Sequence, residues 1–252
     1  MEVVTPANEW PIFVISLSDD KARRTRIASQ LEGLRLAFEF VDAVDGRIGI
    51  SREMLDKVDQ DAARQRIGRA LSDPEIACAF SHRLVYETIL DRGMSGAIVL
   101  EDDAVLLADF KKLVEARAYL GTHLLQFEYS DTRVYFLPRT EIMPGYRRAR
   151  VATSSGLTVG YAISAPGARH ILKHGLPLTG PADWPCDTTR IGHAVVIPKL
   201  VHHPESGETP SHIATARAQA RLNTSGGPGP RRFLSRRYWR RWIRKRLSVR
   251  IA

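Results

Sequence analysis

The chain has 252 residues, 44% of them hydrophobic, with 37 basic and 28 acidic side chains. That composition supports a sizeable core, and no run approaches the roughly 20 apolar residues that a membrane span needs. Nine arginines and one lysine fall in residues 231–252 without an acid, which leaves 27 basic against 28 acidic residues elsewhere. The body is close to neutral, so a pI near 9.9 describes the tail and not the body's ligand. Two cysteines, Cys78 and Cys186, are too few for a disulfide framework and read as free thiols in a reducing compartment. The opening MEVVTPANEWPIF lacks the basic and apolar regions of a signal peptide.

Pro11 to Leu17 (PIFVISL) reads as a first strand. Ser18 and Asp19 are N-cap types, and the helix behind them puts Ile27, Leu31 and Leu34 on one stripe, with Gly33 near its stop. Ala37 to Val41 is a second strand, and DAVDG turns away from it. A strand–helix–strand unit of this kind favours a parallel pair. Residues 47–71 form a charged excursion over the surface. Asp73-Pro74-Glu75 then opens a helix that runs to about Asp91, with Gly93 as its stop. Residues 97–100 are a strand buried on both faces, and Asp109 caps a short helix to Leu120. HLLQFEY is a further strand, and residues 133–137 and 149–153 form strands or a hairpin around Pro144-Gly145. Val159–Ser164 is a strand, Pro166 opens a helix to His174, and His193–Ile197 is a strand. Gly207 to Gly229 reads as a flexible linker. The pattern predicts an α/β fold with a mostly parallel central sheet flanked by helices. It predicts one domain over 1–206, a linker over 207–230 and a basic tail over 231–252.

Glu101, Asp102 and Asp103 follow the buried strand AIVL directly. Three adjacent carboxylates repel and need a cation among them. In open α/β sheets ligands collect at the carboxyl ends of strands. Hard oxygen ligands there suit Mg²⁺ or Mn²⁺, and the usual reason to hold such a cation is a diphosphate leaving group. Taken alone, the triplet reads more readily as a solvated turn after a strand.

Four stretches in order resemble glycosyltransferase family 25, the lipooligosaccharide-type glycosyltransferases. VISLSDDKARRTRI is similar to the family's opening strand and arginine-rich turn, and FEFVDAVDG to its second strand and acidic turn. EIACAFSHRLVYETIL running into AIVLEDDAVL is similar to its Cys…Ser-His helix and Leu-Glu-Asp-Asp strand. VGYAISAPGARHIL followed by PADW is similar to its later strand, helix and Asp. Two departures bear on packing: Pro74-Glu75-Ile76-Ala77 replaces Gly-Glu-X-Gly, and Tyr86 stands where Trp is common. The resemblance implies a GT-A-like fold, a nucleotide-sugar donor such as a UDP-sugar, Mn²⁺ or Mg²⁺, and an inverting transfer.

On that resemblance Glu101 and Asp103, alternate residues of a strand exit, are the expected metal ligands, with His202 as a candidate third and Asp102 an alternative ribose contact. Ser16 in the opening strand and the pair Arg23 and Arg24 are expected at the donor. An arginine fork suits phosphate, and Arg24 is favoured over Arg23. Asp42 and Asp45 flank the DAVDG turn and suit a nucleoside, although turns select Asp for their own reasons. Ser81 and His82 are expected in the site; a helical His is equally a satisfied core residue. Asp183, beside Trp184, is the expected base that deprotonates the acceptor hydroxyl, with Asp187 as substitute.

From Leu234 a helical projection puts Leu234, Tyr238, Trp239, Trp242 and Ile243 on one half and Arg237, Arg240, Arg241 and Arg244 on the other. A basic amphipathic helix with tryptophans lies in a membrane interface. The expectation is a cytoplasmic enzyme held peripherally on anionic membrane, near a lipooligosaccharide or other glycolipid acceptor. Three other readings compete. One is nucleic-acid binding through the arginine and aromatic tail, disfavoured because no nucleic-acid module appears. The others are a metal-dependent nucleotide-sugar hydrolase and a catalytically dead glycan binder.

Overall fold

The computed structural model describes residues 10–153, 155–203 and 242–251. The expected linker and residues 231–241 of the tail lie outside them. The elements in chain order are β1 (Ile12–Ser16), α1 (Lys21–Gly33), β2 (Glu39–Asp42), α2 (Arg52–Leu55), α3 (Gln60–Ile67), α4 (Asp73–Asp91), β3 (Gly96–Glu101), β4 (Val105–Leu106) and α5 (Phe110–Glu115). They continue with β5 (Leu124–Gln126), β6 (Thr132–Met143), β7 (Tyr146–Val151), β8 (Gly160–Ser164), α6 (Ala165–His174), β9 (Ala194–Ile197), β10 (Val201–His202) and β11 (Ser248–Ile251).

Nine strands form one sheet in the order β11-β6-β7-β9-β5-β8-β3-β1-β2. The fold is α/β with a central sheet flanked by helices. Parallel pairing joins β2, β1 and β3, and also β5 with β9. β8 runs antiparallel between β3 and β5, and the β6–β7 hairpin adds antiparallel strands on that side. The sheet is therefore mixed, its parallel character concentrated around β1. The hairpin turns at Pro144-Gly145, with Gly145 at φ 81°.

Strand alternation sorts the core into two layers. Ile12 and Val14 of β1 and Ile98 and Leu100 of β3 meet Ile27 and Leu31 of α1 and Phe110 and Leu113 of α5. Phe13 and Ile15, with Ala97 and Val99, face the other way onto Val85 and Ile89 of α4 and Ala168 and Ile171 of α6. Burying each such branched side chain is worth about 1.5–3 kcal/mol, so the run AIVL is held from both sides.

The start of α4 is fixed by charge. Glu75 is 1% exposed, accepts the Ser72 N–H at 3.2 Å and receives both arms of the Arg69 guanidinium at 2.6 Å. The cap is thus Ser72, one residue before the expected Asp73. Removing one partner of such a buried pair strands the other. Arg69→Ala is expected to cost about 3 kcal/mol in urea unfolding; a loss below about 1 kcal/mol would show the pair to be idle.

The end of the chain corrects the helical tail. Residues 242–246 are helical, but Ser248–Ile251 form β11, antiparallel to Thr132–Tyr135 of β6. Val249 and Ile251 are β-branched at alternate positions and pack on the cluster around Val134 and Val151. The period-two pattern and the unpaired edge of β6 win over a helix continued to Ala252.

Candidate active site

The parallel strands β1, β2 and β3 end on one edge of the sheet, at Ser16, Asp42 and Glu101. Antiparallel β8 begins there, two residues after Thr158. A cleft of about 770 Å³ opens at this edge. Its floor is the acidic triplet, and its walls come from α1, the DAVDG turn and the middle of α4. One hydrogen bond seats that turn on α4, and a bond within the helix orients its acceptor. Val44 N–H donates to Ser81 Oγ at 2.9 Å, and Ser81 donates to Ala77 O at 2.8 Å. A Cβ at Gly46 would lie 2.7 Å from Pro74 Cα, so only glycine permits the approach.

The cation among the three carboxylates is Arg23. Its Nη1 donates to Asp102 Oδ1 at 3.0 Å and lies 3.7 Å from Asp103 Oδ2. Asp102 also accepts the Ser16 hydroxyl at 2.7 Å. The environments of the two aspartates nevertheless pull them apart. Burial pushes the Asp102 carboxyl up, beyond what Ser16 and Arg23 bring down. Burial opposes the charge on Asp103 as well, but His203, Arg23 and Arg26 outweigh it and hold that carboxyl below the usual range. His203 Nε2 lies 3.5 Å from Asp103 Oδ2, and Asp103 Oδ1 is buried with no hydrogen-bond partner. Asp103 thus carries charge with lone pairs to spare.

Glu101 behaves differently from Asp103. β3 ends at Glu101 and a turn begins, closed by Ala104 N–H to Glu101 O at 3.1 Å, so strand alternation does not carry through the triplet. Glu101 Oε1 accepts Thr158 Oγ1–H at 2.7 Å and lies 3.2 Å from His82 Nε2. His82 Nδ1 meets the Tyr161 hydroxyl at 2.8 Å.

The other expected residues divide. Ser16, Arg23, Asp45, Ser81, His82 and the triplet all line the cleft. Arg24, favoured over Arg23, ties strands together. Its guanidinium donates to Leu17 O and Ser16 O at 3.0 and 3.1 Å, pairs with the exposed Asp42 and stacks on Phe40. His202 turns to Glu128, 3.5 Å from its carboxylate, while its neighbour His203 faces Asp103. His202 is the last residue of β10, where it pairs with Val105 of β4, and His203 follows just beyond the strand. Asp183 and Asp187 lie beyond the cleft lining. Asp183 precedes Trp184, a buried residue at φ 59° whose ring packs on Tyr161 and His193. Asp187 caps a 3₁₀ turn at Thr188–Ile191. Burial raises its carboxyl, but the Thr189 hydrogen bonds, with Arg244 and Arg190, bring it below the usual range.

Sequence reasoning missed His203 by one position and Arg47 altogether. Arg47 lines the cleft and bridges Asp45 and Asp19 at 2.7–2.8 Å. Its place directly after the DAVDG turn was the available signal.

The α/β fold thus brings arginines and an acidic triplet together at the carboxyl edge of its parallel strands. Residues 9–187 match the sequence model of glycosyltransferase family 25 (LPS biosynthesis protein), and the chain belongs to that family. It is 31% identical over 173 residues to procollagen galactosyltransferase 1-B of Xenopus laevis, covering 64% of this chain and 28% of that one. It is 30% identical over 172 residues to the inactive glycosyltransferase 25 family member 3 of Mus musculus, covering 64% and 28%. With LgtE of Neisseria meningitidis serogroup B, a lacto-N-neotetraose biosynthesis glycosyltransferase, it shares 28% over 179 residues, 68% of this chain and 62% of that one. The chain thus spans under a third of the animal relatives and under two thirds of LgtE.

Proposed function

We propose that the chain is an inverting glycosyltransferase that moves a hexose, galactose or glucose, from a UDP-sugar to a hydroxyl of a lipooligosaccharide or other surface glycan. The observation that carries the reading is the buried, unpartnered Asp103 Oδ1 in a cleft that also presents arginines. Asp103 and His203, an oxygen and a nitrogen ligand, fit a Mn²⁺ or Mg²⁺ ion; Glu101 lines the same cleft through other contacts. Such an ion, when bound, neutralises charge on the diphosphate leaving group. Arg23 and Arg47 add positive charge suited to the same diphosphate. Ser16 and Asp102 position Arg23, and Asp45 positions Arg47, by the hydrogen bonds above. Asp183 is the proposed base that takes the acceptor proton as the hydroxyl attacks, in a segment where Trp184 is strained and anchored.

The reading places the enzyme on the cytoplasmic face of a membrane, held there by its basic tail; no helix among the described residues is long and apolar enough to cross one. The test is release of UDP from UDP-galactose or UDP-glucose with Mn²⁺. Acceptor should stimulate it many-fold and EDTA should abolish it. Equal release without acceptor marks a nucleotide-sugar hydrolase instead. Asp183→Asn keeps shape and removes proton affinity, so kcat should fall at least about 100-fold with donor binding retained. Weakened donor binding with kcat intact would reassign Asp183 to holding substrate.

A further inference from the structure

We propose that Cys78, His82 and Glu101 form a binding site for a thiophilic divalent cation of the zinc class, in the wall of the cleft and separate from Asp103 and His203. Cys78 and His82 lie one turn apart on α4, and Glu101 ends the neighbouring strand β3. Their ligand atoms all lie within 4.8 Å of one another, and no ion is needed to bring them there. Tetrahedral zinc with sulfur, nitrogen and oxygen ligands places those atoms roughly 3.5 Å apart, so a small closure completes the set.

The contacts around His82 leave a place for a cation beside Glu101. The Tyr161 hydroxyl donates its proton to Tyr86 Oη at 2.9 Å. Towards His82 it can only accept, so the imidazole carries a proton on Nδ1. Nε2 lies 3.2 Å from Glu101 Oε1, an oxygen that already accepts from Thr158. Two acceptors facing each other need a proton or a metal ion between them. The third atom near the pair is a thiol sulfur, which selects soft and borderline cations over Mg²⁺ or Mn²⁺.

The surroundings are those of a metal site. Tyr161 fixes the tautomer and orientation of His82, and Thr158 orients Glu101, as outer partners of metal ligands do. All three ligands also line the cleft, which leaves the fourth tetrahedral position open. An ion here ties Glu101 and His82 to metal in place of substrate.

The test needs no transferase assay, so it stands or falls apart from the proposed activity. Reduced full-length protein is titrated with Co²⁺ and read by absorption. A thiolate-to-cobalt band should saturate near one equivalent and be displaced by Zn²⁺. Asp103 and His203 offer no sulfur and cannot produce that band. Cys78→Ser should abolish it with circular dichroism unchanged. Cys186→Ser should keep it, since burial pushes the Cys186 thiol up to about 11. Tyr161→Phe should weaken cobalt binding about 10–100-fold. Should Cys78→Ser fail to fold, Zn²⁺ protection of Cys78 against alkylation in the wild-type protein, read by mass spectrometry, replaces it. No sulfur band in the wild type, a band that survives in Cys78→Ser, or alkylation indifferent to Zn²⁺ overturns the site and leaves a shared proton between His82 and Glu101.

Discussion

Asp103→Ala is expected to lower sugar transfer by at least about 100-fold, the loss of several kcal/mol of charge stabilisation at the leaving group, with only a small loss of thermal stability. The second half of that expectation comes from the packing. Asp103 Oδ1 has no partner, an unsatisfied buried acceptor that offsets part of what the attraction of His203, Arg23 and Arg26 for the carboxylate charge contributes to the fold. Removing it costs the fold little, and Arg23 keeps Asp102 and Asp20. Asp102→Ala makes the contrast. It strands the Ser16 hydroxyl and part of the Arg23 guanidinium, at a cost of about 1–3 kcal/mol. The neighbouring acids should therefore separate, Asp103 in activity and Asp102 in stability, when turnover and melting are measured on the same preparations. Near wild-type transfer by Asp103→Ala would remove the metal from the mechanism. A large fall in its melting temperature would make Asp103 a structural residue.

Elements with strong local signals were legible in the sequence. β1, α1, α4, β3, β8 and α6 fall where hydrophobic period, caps and glycine stops put them, because each is held by side chains spaced at its own period. The cleft was legible to the extent that strand ends define it: Ser16, the DAVDG turn and Glu101–Asp103 are all exits of parallel strands. What escaped depended on direction within a turn or across the sheet. Arg23 and Arg24 are adjacent on α1, so about 100° of helix rotation sends one to Asp102 and the other to Asp42. His202 ends β10 and His203 follows it outside the strand, so which of the two faces the cleft could be read only once β10 was paired with β4. The pairing of β6, β7 and β11 is long-range and carries no local mark of which edge accepts the chain's end. Asp187, the substitute for Asp183 as base, stands before Thr188-Thr189, where a carboxylate also caps a turn, as its bonds from Thr189 show.

Deleting residues 231–252 is expected to destabilise the protein by about 2 kcal/mol or more, which at this chain length lowers melting by several degrees. The deletion removes β11 and its four pairings with β6. It removes the Arg133 hydrogen bonds to Ser248 O at 2.7 Å and Lys245 O at 3.0 Å, and the 2.6 Å pair of Arg250 with Asp131. It also uncovers the apolar patch under Val249 and Ile251 and leaves a bare strand edge. Truncation therefore mixes membrane binding with folding, and point changes must separate them. Trp242 and Ile243 are 39% and 49% exposed and lie outside β11, so Trp242→Ser with Ile243→Ser should lower melting far less than the deletion does. Full-length protein should sediment with vesicles containing anionic lipid at low salt, because each basic residue near such a surface adds about 1 kcal/mol. The double variant should bind at least about tenfold more weakly, since the Trp242 ring and the Ile243 side chain supply the apolar contact. High salt should weaken the wild type as well. A wild-type protein that stays in solution with these vesicles ends the membrane proposal. One that binds but is released by duplex DNA, with the double variant binding DNA undiminished, assigns the tail's arginines to phosphate backbones instead.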